Sequence, residues 1–174
     1  MVSSLTISGS KGVFKIRYPK KPLDVNYDMA KNKALRLLEF RSHSEGELRQ
    51  KLKIYGAKSD DIEKVVEFLL EYKLLDDEGY AVRLANDLHN IKKFGKRRIE
   101  QELFRKGISR EIIAMATDGI EDNDKDMLYP LMEKKLGGDF SLKSRDRAFR
   151  YFVSRGYSFD DIKSVFDNLK ELDG

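Results

Sequence analysis

The chain has 174 residues, of which 40% are hydrophobic and 37% charged, and its 34 Lys and Arg residues against 30 Asp and Glu residues give a formal net charge of +4. It contains no cysteine, which excludes disulfides, thiolate catalysis and cysteine zinc sites. No apolar run approaches the roughly 18 residues of a membrane span, and the N-terminus lacks the apolar block of a signal peptide. We therefore expect a soluble, cytoplasmic protein without a membrane partner.

Residues 1–25 differ in pattern from the rest of the chain. The segments LTIS and VFKIRY flank the glycine-rich stretch SGSKG, and VFKIRY alternates apolar and basic side chains. Alternation of this kind favours a β-strand, but an isolated hairpin is only marginally stable and has to dock on another element. This N-terminal extension is thus either a small β-hairpin or a flexible arm.

From residue 26 onward, a helix–glycine–helix pattern occurs three times. The segment ELRQKLKIYGAKSDDIEKV has counterparts in EQELFRKGISREIIAMA and RAFRYFVSRGYSFDDIKSV. The positions that agree are Ser44, Gly95 and Ser144; Leu48, Ile99 and Ala148; Leu52, Leu103 and Phe152; Gly56, Gly107 and Gly156; Ile62, Ile113 and Ile162; Val65, Ala116 and Val165; Leu69, Ile120 and Leu169. Apolar residues four apart lie on one helix face, and a glycine past the last turn adopts the positive φ that ends a helix. The pattern predicts two consecutive helices in each copy.

Polar residues at the predicted helix starts support the same division. The N-caps of the first helices share one aligned position and are Ser44, Gly95 and Ser144. Glu47 can complete a capping box with Ser44. Ser109 and Ser158 cap the second helices of the later copies, whereas Lys58 holds this position in the first copy.

A further amphipathic helix precedes each pair. The three segments are NYDMAKNKALRLLEF, DDEGYAVRLANDLHNIKKF and DNDKDMLYPLMEKKL, and Asp76 is a candidate N-cap for the second of them. Pro130 lies in the third segment. Because proline is tolerated in a first turn but kinks a helix interior, this helix either starts late or bends.

The predicted fold is all-α, with three tandem three-helix repeats at residues 26–75, 76–122 and 123–174. A unit of about 50 residues has little hydrophobic core of its own. We therefore expect neighbouring units to stack on one another in an elongated, curved molecule.

The sequence contains no arrangement of residues that is typical of an enzyme. The only histidines, His43 and His89, lack the spacing of metal ligands, and no phosphate-binding glycine motif is present. Acidic neighbours such as Asp76 with Asp77, or Asp160 with Asp161, are better explained as helix caps and first-turn residues than as metal ligands. We expect no enzymatic activity, no cofactor and no metal.

Basic residues provide the clearest functional signal. The stretch from Lys92 to Arg110 contains eight basic and two acidic residues, so it carries +6 and leaves −2 for the rest of a chain whose net charge is +4. Clustering of this kind suggests an anionic partner, although a solvated helix face is the alternative explanation. The candidate binding surface comprises basic residues of the second and third copies: Lys92, Lys93, Lys96, Arg97, Arg98, Arg105, Lys106, Arg110, Lys143, Arg145, Arg147, Arg150 and Arg155.

Aromatic residues occur at helical spacings, which mostly indicates core packing. Tyr55 and Phe104 lie beside basic positions. Stacking on nucleic-acid bases is therefore an alternative role for these two residues.

Several stretches resemble the RecX family of bacterial recombination regulators. They are ALRLLEFRSHSEGELRQKL, LLDDEGYAVRLANDL and FGKRRIEQELFRKGI, with a weaker echo in the third copy. The resemblance implies three tandem three-helix repeats, and it implies binding in the helical groove of the RecA filament. It further implies modulation, usually inhibition, of the ATPase and strand-exchange activities of RecA, and for some members contact with DNA. Pro130 and the Gly137–Gly138 loop depart from the pattern of the first two copies.

Two functional hypotheses follow from these observations. In the first, the chain is a monomeric, RecX-like regulator that binds the RecA filament and acts in homologous recombination, DNA repair and the SOS response. In the second, it is a basic helical repeat module that binds DNA directly. The candidate basic surface serves either hypothesis, since a filament contains DNA.

Overall fold

The computed structural model describes residues 24–120 and 125–173, together with the backbone of residues 7–9 and 12–14. The helices in this part of the chain are α1 (Tyr27–Phe40), α2 (Glu45–Tyr55), α3 (Ser59–Glu71), α4 (Asp77–Asn90), α5 (Lys96–Arg105), α6 (Arg110–Ala116), α7 (Lys125–Leu136), α8 (Leu142–Ser154) and α9 (Phe159–Asp173). None of these described helices is both long and apolar enough to span a membrane. The all-α prediction for the repeats is confirmed.

Two short strands precede the helices. Strand β1 (Ile7–Gly9) pairs antiparallel with β2 (Gly12–Phe14). The backbone at these residues is therefore that of a small hairpin, and the rest of the VFKIRY strand lies outside the described residues. Nearer the helices, Val25 forms a parallel bridge with Ala57 in the turn between α2 and α3.

Each set of three consecutive helices encloses a hydrophobic core of its own. We call α1–α3 repeat 1, α4–α6 repeat 2 and α7–α9 repeat 3. Leu52, Leu103 and Phe152 are fully buried, each in the core of its own repeat. The first and third helices of each repeat pack against one another. The first helix therefore covers apolar side chains that the second and third helices alone would leave exposed. The expectation that one unit has little core of its own is therefore wrong.

The glycines and the first cap of the repeat pattern adopt the predicted conformations. Gly56, Gly107 and Gly156 follow α2, α5 and α8 with φ of 101°, 78° and 91°. These values lie in the left-handed region that glycine enters without strain. At the start of α2, the Ser44 hydroxyl accepts a hydrogen bond from the Glu47 N–H at 3.1 Å.

Other helix starts match the prediction at Asp76 but not at Ser144. Asp76 caps α4 by accepting a hydrogen bond from the Gly79 N–H at 2.9 Å. Helix α8 has Ser141 as its N-cap, so the predicted cap at Ser144 is wrong. Asp139 explains the difference, since it accepts hydrogen bonds from the Ser141 N–H and the buried Ser144 hydroxyl and so starts the helix earlier.

Pro130 lies inside α7, as its sixth residue, so the late start is the wrong alternative. Its side chain is exposed, whereas Leu128, Met132 and Leu136 are buried in the core of repeat 3. The proline thus removes a backbone hydrogen bond on the solvent side and leaves the apolar stripe intact.

Repeats 1 and 2 meet where the start of α2 packs on the turn that follows α5. We call this contact junction 1. The Ser44 hydroxyl donates a hydrogen bond to the Lys106 carbonyl. Gly46 approaches Gly107 so closely that a Cβ on Gly46 would lie 2.8 Å from the Gly107 Cα. Glycine is therefore needed on both sides of the junction.

Repeats 2 and 3 meet through the equivalent elements, the start of α5 and the turn that follows α8. At this junction 2, the Gly95 N–H donates to the Arg155 carbonyl at 2.9 Å, and the Tyr157 hydroxyl donates to the Lys93 carbonyl at 3.2 Å. The partners Gly95 and Arg155 occupy the aligned positions of Ser44 and Lys106. The same kind of contact is therefore used twice, as expected of a tandem repeat protein in which each unit contacts its neighbours.

Candidate partner-binding clefts

An open cleft of about 790 Å³ lies between α5 and α6 of repeat 2, and we call it cleft A. Its apolar lining includes Ile113 and Ala114. Phe104 also lines cleft A, although its side chain is 61% exposed. The arginines around the cleft are Arg97, Arg98, Arg105 and Arg110. Cleft A thus combines positive charge with an exposed aromatic ring on a concave surface.

The four arginines of cleft A are of two kinds. Arg98 and Arg105 both pair with Glu102, and the Arg98 guanidinium lies 2.8 Å from its carboxylate. Arg97 and Arg110 are exposed and form no ion pair within residues 24–120 and 125–173. Two arginines are therefore held by an internal carboxylate, and two are available to an external anion.

An equivalent cleft of about 430 Å³, cleft B, lies between α8 and α9 of repeat 3. Arg145, Arg150 and Lys163 supply its positive charge. Phe159 is 58% exposed, and its ring centroid lies 5.3 Å from that of Phe149. Repeats 2 and 3 therefore present the same combination of cations and aromatic rings between their second and third helices.

The corresponding groove of repeat 1 is bridged by an ion pair. Arg49 of α2 donates hydrogen bonds from Nη1 and Nη2 to the two carboxylate oxygens of Glu63 on α3, with Nη2 and Oε2 3.0 Å apart. The Arg49 Nε also donates to Glu45 at 2.7 Å. Among the three repeats, this feature distinguishes repeat 1 from the two open clefts.

Several residues of the candidate basic surface lie at the junctions instead of the clefts. Arg155 donates to the Lys92 carbonyl, and its guanidinium lies 5.4 Å from the centre of the Phe94 ring. Lys93 offers its carbonyl within the same junction, and Lys106 pairs with an acid of repeat 1. The side chains of Arg155 and Lys106 thus help to hold the repeats together, whereas Lys92 and Lys93 contribute their backbone carbonyls to junction 2.

The remaining candidate cations lie on the first turns and surface of α5 and α8. Lys96 is the first residue of α5, Lys143 is exposed, and Arg147 donates to the Ser144 hydroxyl at 2.8 Å. The candidate residues therefore lie at two clefts, at two junctions and at other positions of α5 and α8 in the described part of the chain.

Glu47 is the centre of a charged cluster in junction 1 that the sequence did not predict. Its carboxylate accepts from Lys106 at 2.7 Å, from Arg41 at 3.2 Å and from the Tyr80 hydroxyl at 3.2 Å. The predicted capping box with Ser44 is therefore wrong, because the carboxylate turns to the neighbouring repeat. Burial raises the pKa of Glu47, but the hydrogen bonds from Arg41 and Lys106 outweigh it and lower the pKa from 4.5 to about 2.

Comparison with known protein families assigns the first two repeats. The family model for the first three-helix domain of RecX matches residues 30–69, and the model for its second three-helix domain matches residues 76–116. These ranges coincide with the helices of repeats 1 and 2.

Comparison with individual proteins extends the match to most of the chain. This chain is 35% identical over 145 residues to the regulatory protein RecX of Clostridium perfringens strain 13. The alignment covers 80% of this chain and 68% of the relative. This chain is 34% identical over 154 residues to the regulatory protein RecX of Salmonella paratyphi C, which covers 80% of this chain and 91% of the relative. The chain belongs to the RecX family. It is thus a member of a family of regulatory proteins.

Solved structures agree with this RecX-family fold. The crystal structure of RecX from Lactobacillus salivarius superimposes with a TM-score of 0.71 at 22% identity, covering 83% of this chain and 96% of that chain. At this level of identity the likeness concerns the fold. The arrangement of three-helix repeats is therefore shared with a solved RecX structure.

Sequence reasoning missed Lys163 and Phe159 of cleft B. Both lie in α9, which carries mixed charges and no basic cluster. The alignment of the three repeats contains a signal for Lys163. The same position is occupied by Glu63 in repeat 1 and by Ala114 in repeat 2, so only repeat 3 has a base there. Comparing the polar positions of the repeats, as well as the apolar ones, reveals this change from acid to base.

The pKa of Glu47 predicts acid sensitivity of this RecX-family chain. A carboxyl group whose pKa is lowered on folding stabilises the folded state above its unfolded pKa, and this contribution is lost as the pH falls towards about 2. The shift corresponds to at most about 3 kcal/mol, and the partial exposure of Arg41 reduces it to about 2 kcal/mol. Urea unfolding at neutral and acidic pH should show Glu47→Gln to be less stable than wild type only at neutral pH. A matched Glu63→Gln variant, whose carboxylate is exposed, should show a much smaller difference, and equal effects would contradict the role of Glu47.

Proposed function

We propose that this RecX-family chain binds the RecA nucleoprotein filament and reduces the ATPase, recombinase and strand-exchange activities of RecA. The observation that carries the proposal is the 34% identity to a regulatory protein RecX over 91% of that protein's length. Clefts A and B support it, because an elongated set of repeats with concave cationic sites can contact a large macromolecular assembly at more than one point.

The DNA-dependent ATPase of RecA tests the proposal. ATP hydrolysis should fall as this chain is added in substoichiometric and then stoichiometric amounts, and the chain should sediment with RecA filaments. Charge reversal at exposed cleft arginines (Arg97→Glu with Arg110→Glu) should weaken filament binding by about tenfold or more, because hydrogen bonds to charged groups contribute about 1.5–3 kcal/mol each. The matched control is Lys53→Glu with Lys64→Glu, which makes the same charge change on exposed residues of repeat 1. Unchanged ATPase activity together with no sedimentation would contradict the proposal.

Direct binding of DNA is the second candidate function. It is favoured by the exposed Phe104 ring beside Arg97 and Arg105 in cleft A, because single-stranded nucleic acid is commonly bound by aromatic rings among cations. Fluorescence anisotropy with a labelled single-stranded oligonucleotide, without RecA, tests it. A steep fall of affinity with salt, with a slope near the number of phosphates contacted, and loss of binding in the Arg97→Glu, Arg110→Glu variant would favour this function.

A further inference from the structure

The walls of the three grooves are built from aligned positions whose residues differ. The groove lies between the second and third helices of each repeat, and two facing positions span it. These positions are occupied by Arg49 and Glu63 in repeat 1, by Glu100 and Ala114 in repeat 2, and by Phe149 and Lys163 in repeat 3. The helices are equivalent, so differences between the grooves arise from these side chains and their neighbours.

Repeat 1 shows which chemical group fits the groove. The Glu63 carboxylate lies in the fork of the Arg49 guanidinium, which donates to both of its oxygens. Planar, bidentate pairing of this kind is the geometry by which arginine binds carboxylates. In repeat 1 the third helix thus supplies its own acid, and the groove is filled from within the molecule.

Cleft A lacks an acid at the position that Glu63 occupies in repeat 1. Ala114 replaces the glutamate, so no side chain at that position crosses from α6 to α5. Arg97 and Arg110 remain exposed at the cleft without an ion pair in the described chain. The exposed Phe104 ring lies among them, which leaves an apolar surface next to unpaired positive charge.

In cleft B the charge at the same position is reversed. Lys163 replaces the glutamate and joins Arg150 and Arg145 around the opening, and of these Arg145 also pairs with Asp146 at 3.2 Å. Phe159 packs edge-on against Phe149 and keeps more than half of its surface exposed. Both open clefts therefore offer cations and an aromatic surface where repeat 1 provides its own carboxylate.

The lining favours an acidic polypeptide over a nucleic acid. Carboxylates also line the clefts, with Glu100 in cleft A and with Asp146 and Asp167 in cleft B. A continuous phosphate backbone carries a charge at every nucleotide, so it is repelled by such carboxylates. A polypeptide can place one acidic side chain beside the arginines and an apolar one beside the ring, which suits separate clefts of limited volume.

We propose that clefts A and B bind acidic segments of a protein partner, with a carboxylate against the arginines of each cleft and an apolar side chain against its exposed phenylalanine. Because the two clefts are equivalent sites on successive repeats, a partner that presents the same segment repeatedly can fill both at once. The identity of that partner as a filament of identical subunits rests on the proposed function. The ligand chemistry of the clefts does not.

Peptide binding to the purified full chain tests the ligand chemistry without RecA. The probe is a short fluorescent peptide of Asp, Glu and Leu, and its matched control replaces each acid by its amide. The acidic peptide should bind about tenfold or more tightly than the amide peptide, since charged hydrogen bonds are lost with the charge. An unlabelled oligothymidylate should fail to displace the bound peptide.

A variant that closes cleft A provides the sharpest control. Glu100→Arg with Ala114→Glu places the ion pair of repeat 1 across repeat 2, and it makes the net charge more positive by one. The number of peptides bound per chain should fall from two to one, with only cleft B occupied, although the total positive charge has increased. This result separates cleft chemistry from general electrostatic attraction. Arg97→Glu with Arg110→Glu should have the same effect, whereas Lys53→Glu with Lys64→Glu in repeat 1 should leave peptide binding within about twofold of wild type because long-range surface charge effects are screened.

Three results would overturn the inference: equal binding of the acidic and amide peptides, normal peptide binding by the cleft-closing variant, or displacement of the peptide by oligothymidylate. Sedimentation of the same variants with RecA filaments distinguishes this failure from failure of the proposed function. If the wild type sediments with filaments and the cleft variants do so equally well, the inference fails and the proposed function stands. If the wild type does not sediment with filaments but its peptide binding depends on the clefts, the proposed function fails and the ligand chemistry stands.

Discussion

Replacing Phe152 with alanine is expected to unfold repeat 3 while repeats 1 and 2 stay folded. Phe152 is 0% exposed and lies in a core whose members all belong to repeat 3. Removal of a buried phenylalanine side chain costs about 3–5 kcal/mol. A unit of about 50 residues has a total stability of only about 3–7 kcal/mol, so this loss is comparable with the whole stability of the repeat.

Hydrogen exchange monitored by mass spectrometry measures this effect locally. Protection should fall in residues 125–173 and persist in α1 to α6. Phe40→Ala is the matched control, because Phe40 is 87% exposed and its removal should change stability by no more than about 0.5 kcal/mol. Loss of protection throughout the chain in the Phe152 variant would show that the three repeats unfold as one unit, contrary to their separate cores.

The substitution Gly107→Ala is expected to open junction 1. Gly107 has a φ of 78°, and an added Cβ would lie 2.8 Å from the Gly46 Cα. The left-handed conformation alone costs about 1–2 kcal/mol with a side chain. Relief of the contact separates the repeats and breaks the pair between Glu47 and Lys106, which costs about 1.5–3 kcal/mol more.

A matched substitution isolates the contribution of the contact. Gly138 has a φ of 81°, but a Cβ added there would meet nothing within 4 Å. Gly138→Ala should therefore show the backbone strain alone. Urea unfolding compares the two stabilities, and small-angle X-ray scattering should detect a larger radius of gyration only for Gly107→Ala. Identical scattering profiles and equal destabilisation in the two variants would show that the close contact between Gly46 and Gly107 is unimportant.

The junctions also bear on function, because α5 belongs to both a junction and a cleft. Its first turn contacts the turn after α8, and its later turns carry the Phe104 wall of cleft A. The geometry of junction 2 therefore determines how cleft A is placed relative to cleft B. A partner that occupies both clefts depends on this spacing, so junction variants should weaken bivalent binding more than binding of a single peptide.

The repeat architecture could be predicted from the sequence because it depends on local signals. Apolar residues four apart define the buried face of a helix, and a glycine past the last turn ends it, whatever the surroundings. Gly56, Gly107 and Gly156 all adopt the predicted left-handed conformation, and the RecX-family resemblance drawn from these stretches is confirmed. These signals act within a few residues and survive in each copy.

The interiors and surfaces of the repeats were less predictable. Aromatic residues at helical spacings were predicted mostly to pack in the core; Phe152 and Phe166 are buried in this way, whereas Phe40 is exposed. The cap at Ser144 failed because Asp139, five residues earlier, reorganises the loop before α8. In both cases the outcome depends on which neighbours are within reach, and helical spacing does not specify this.

By itself, the sequence determined the number of repeats, the helical content, the glycine turns and the concentration of positive charge in the second and third copies. Only the tertiary structure decided that each repeat has its own core, that Glu47 binds Lys106 across junction 1, and that Lys163 joins cleft B. The physical reason is the separation along the chain of the residues that interact. Helix formation and termination depend on residues a few positions apart, whereas an ion pair or a cleft depends on side chains that the fold brings together from helices far apart in the chain.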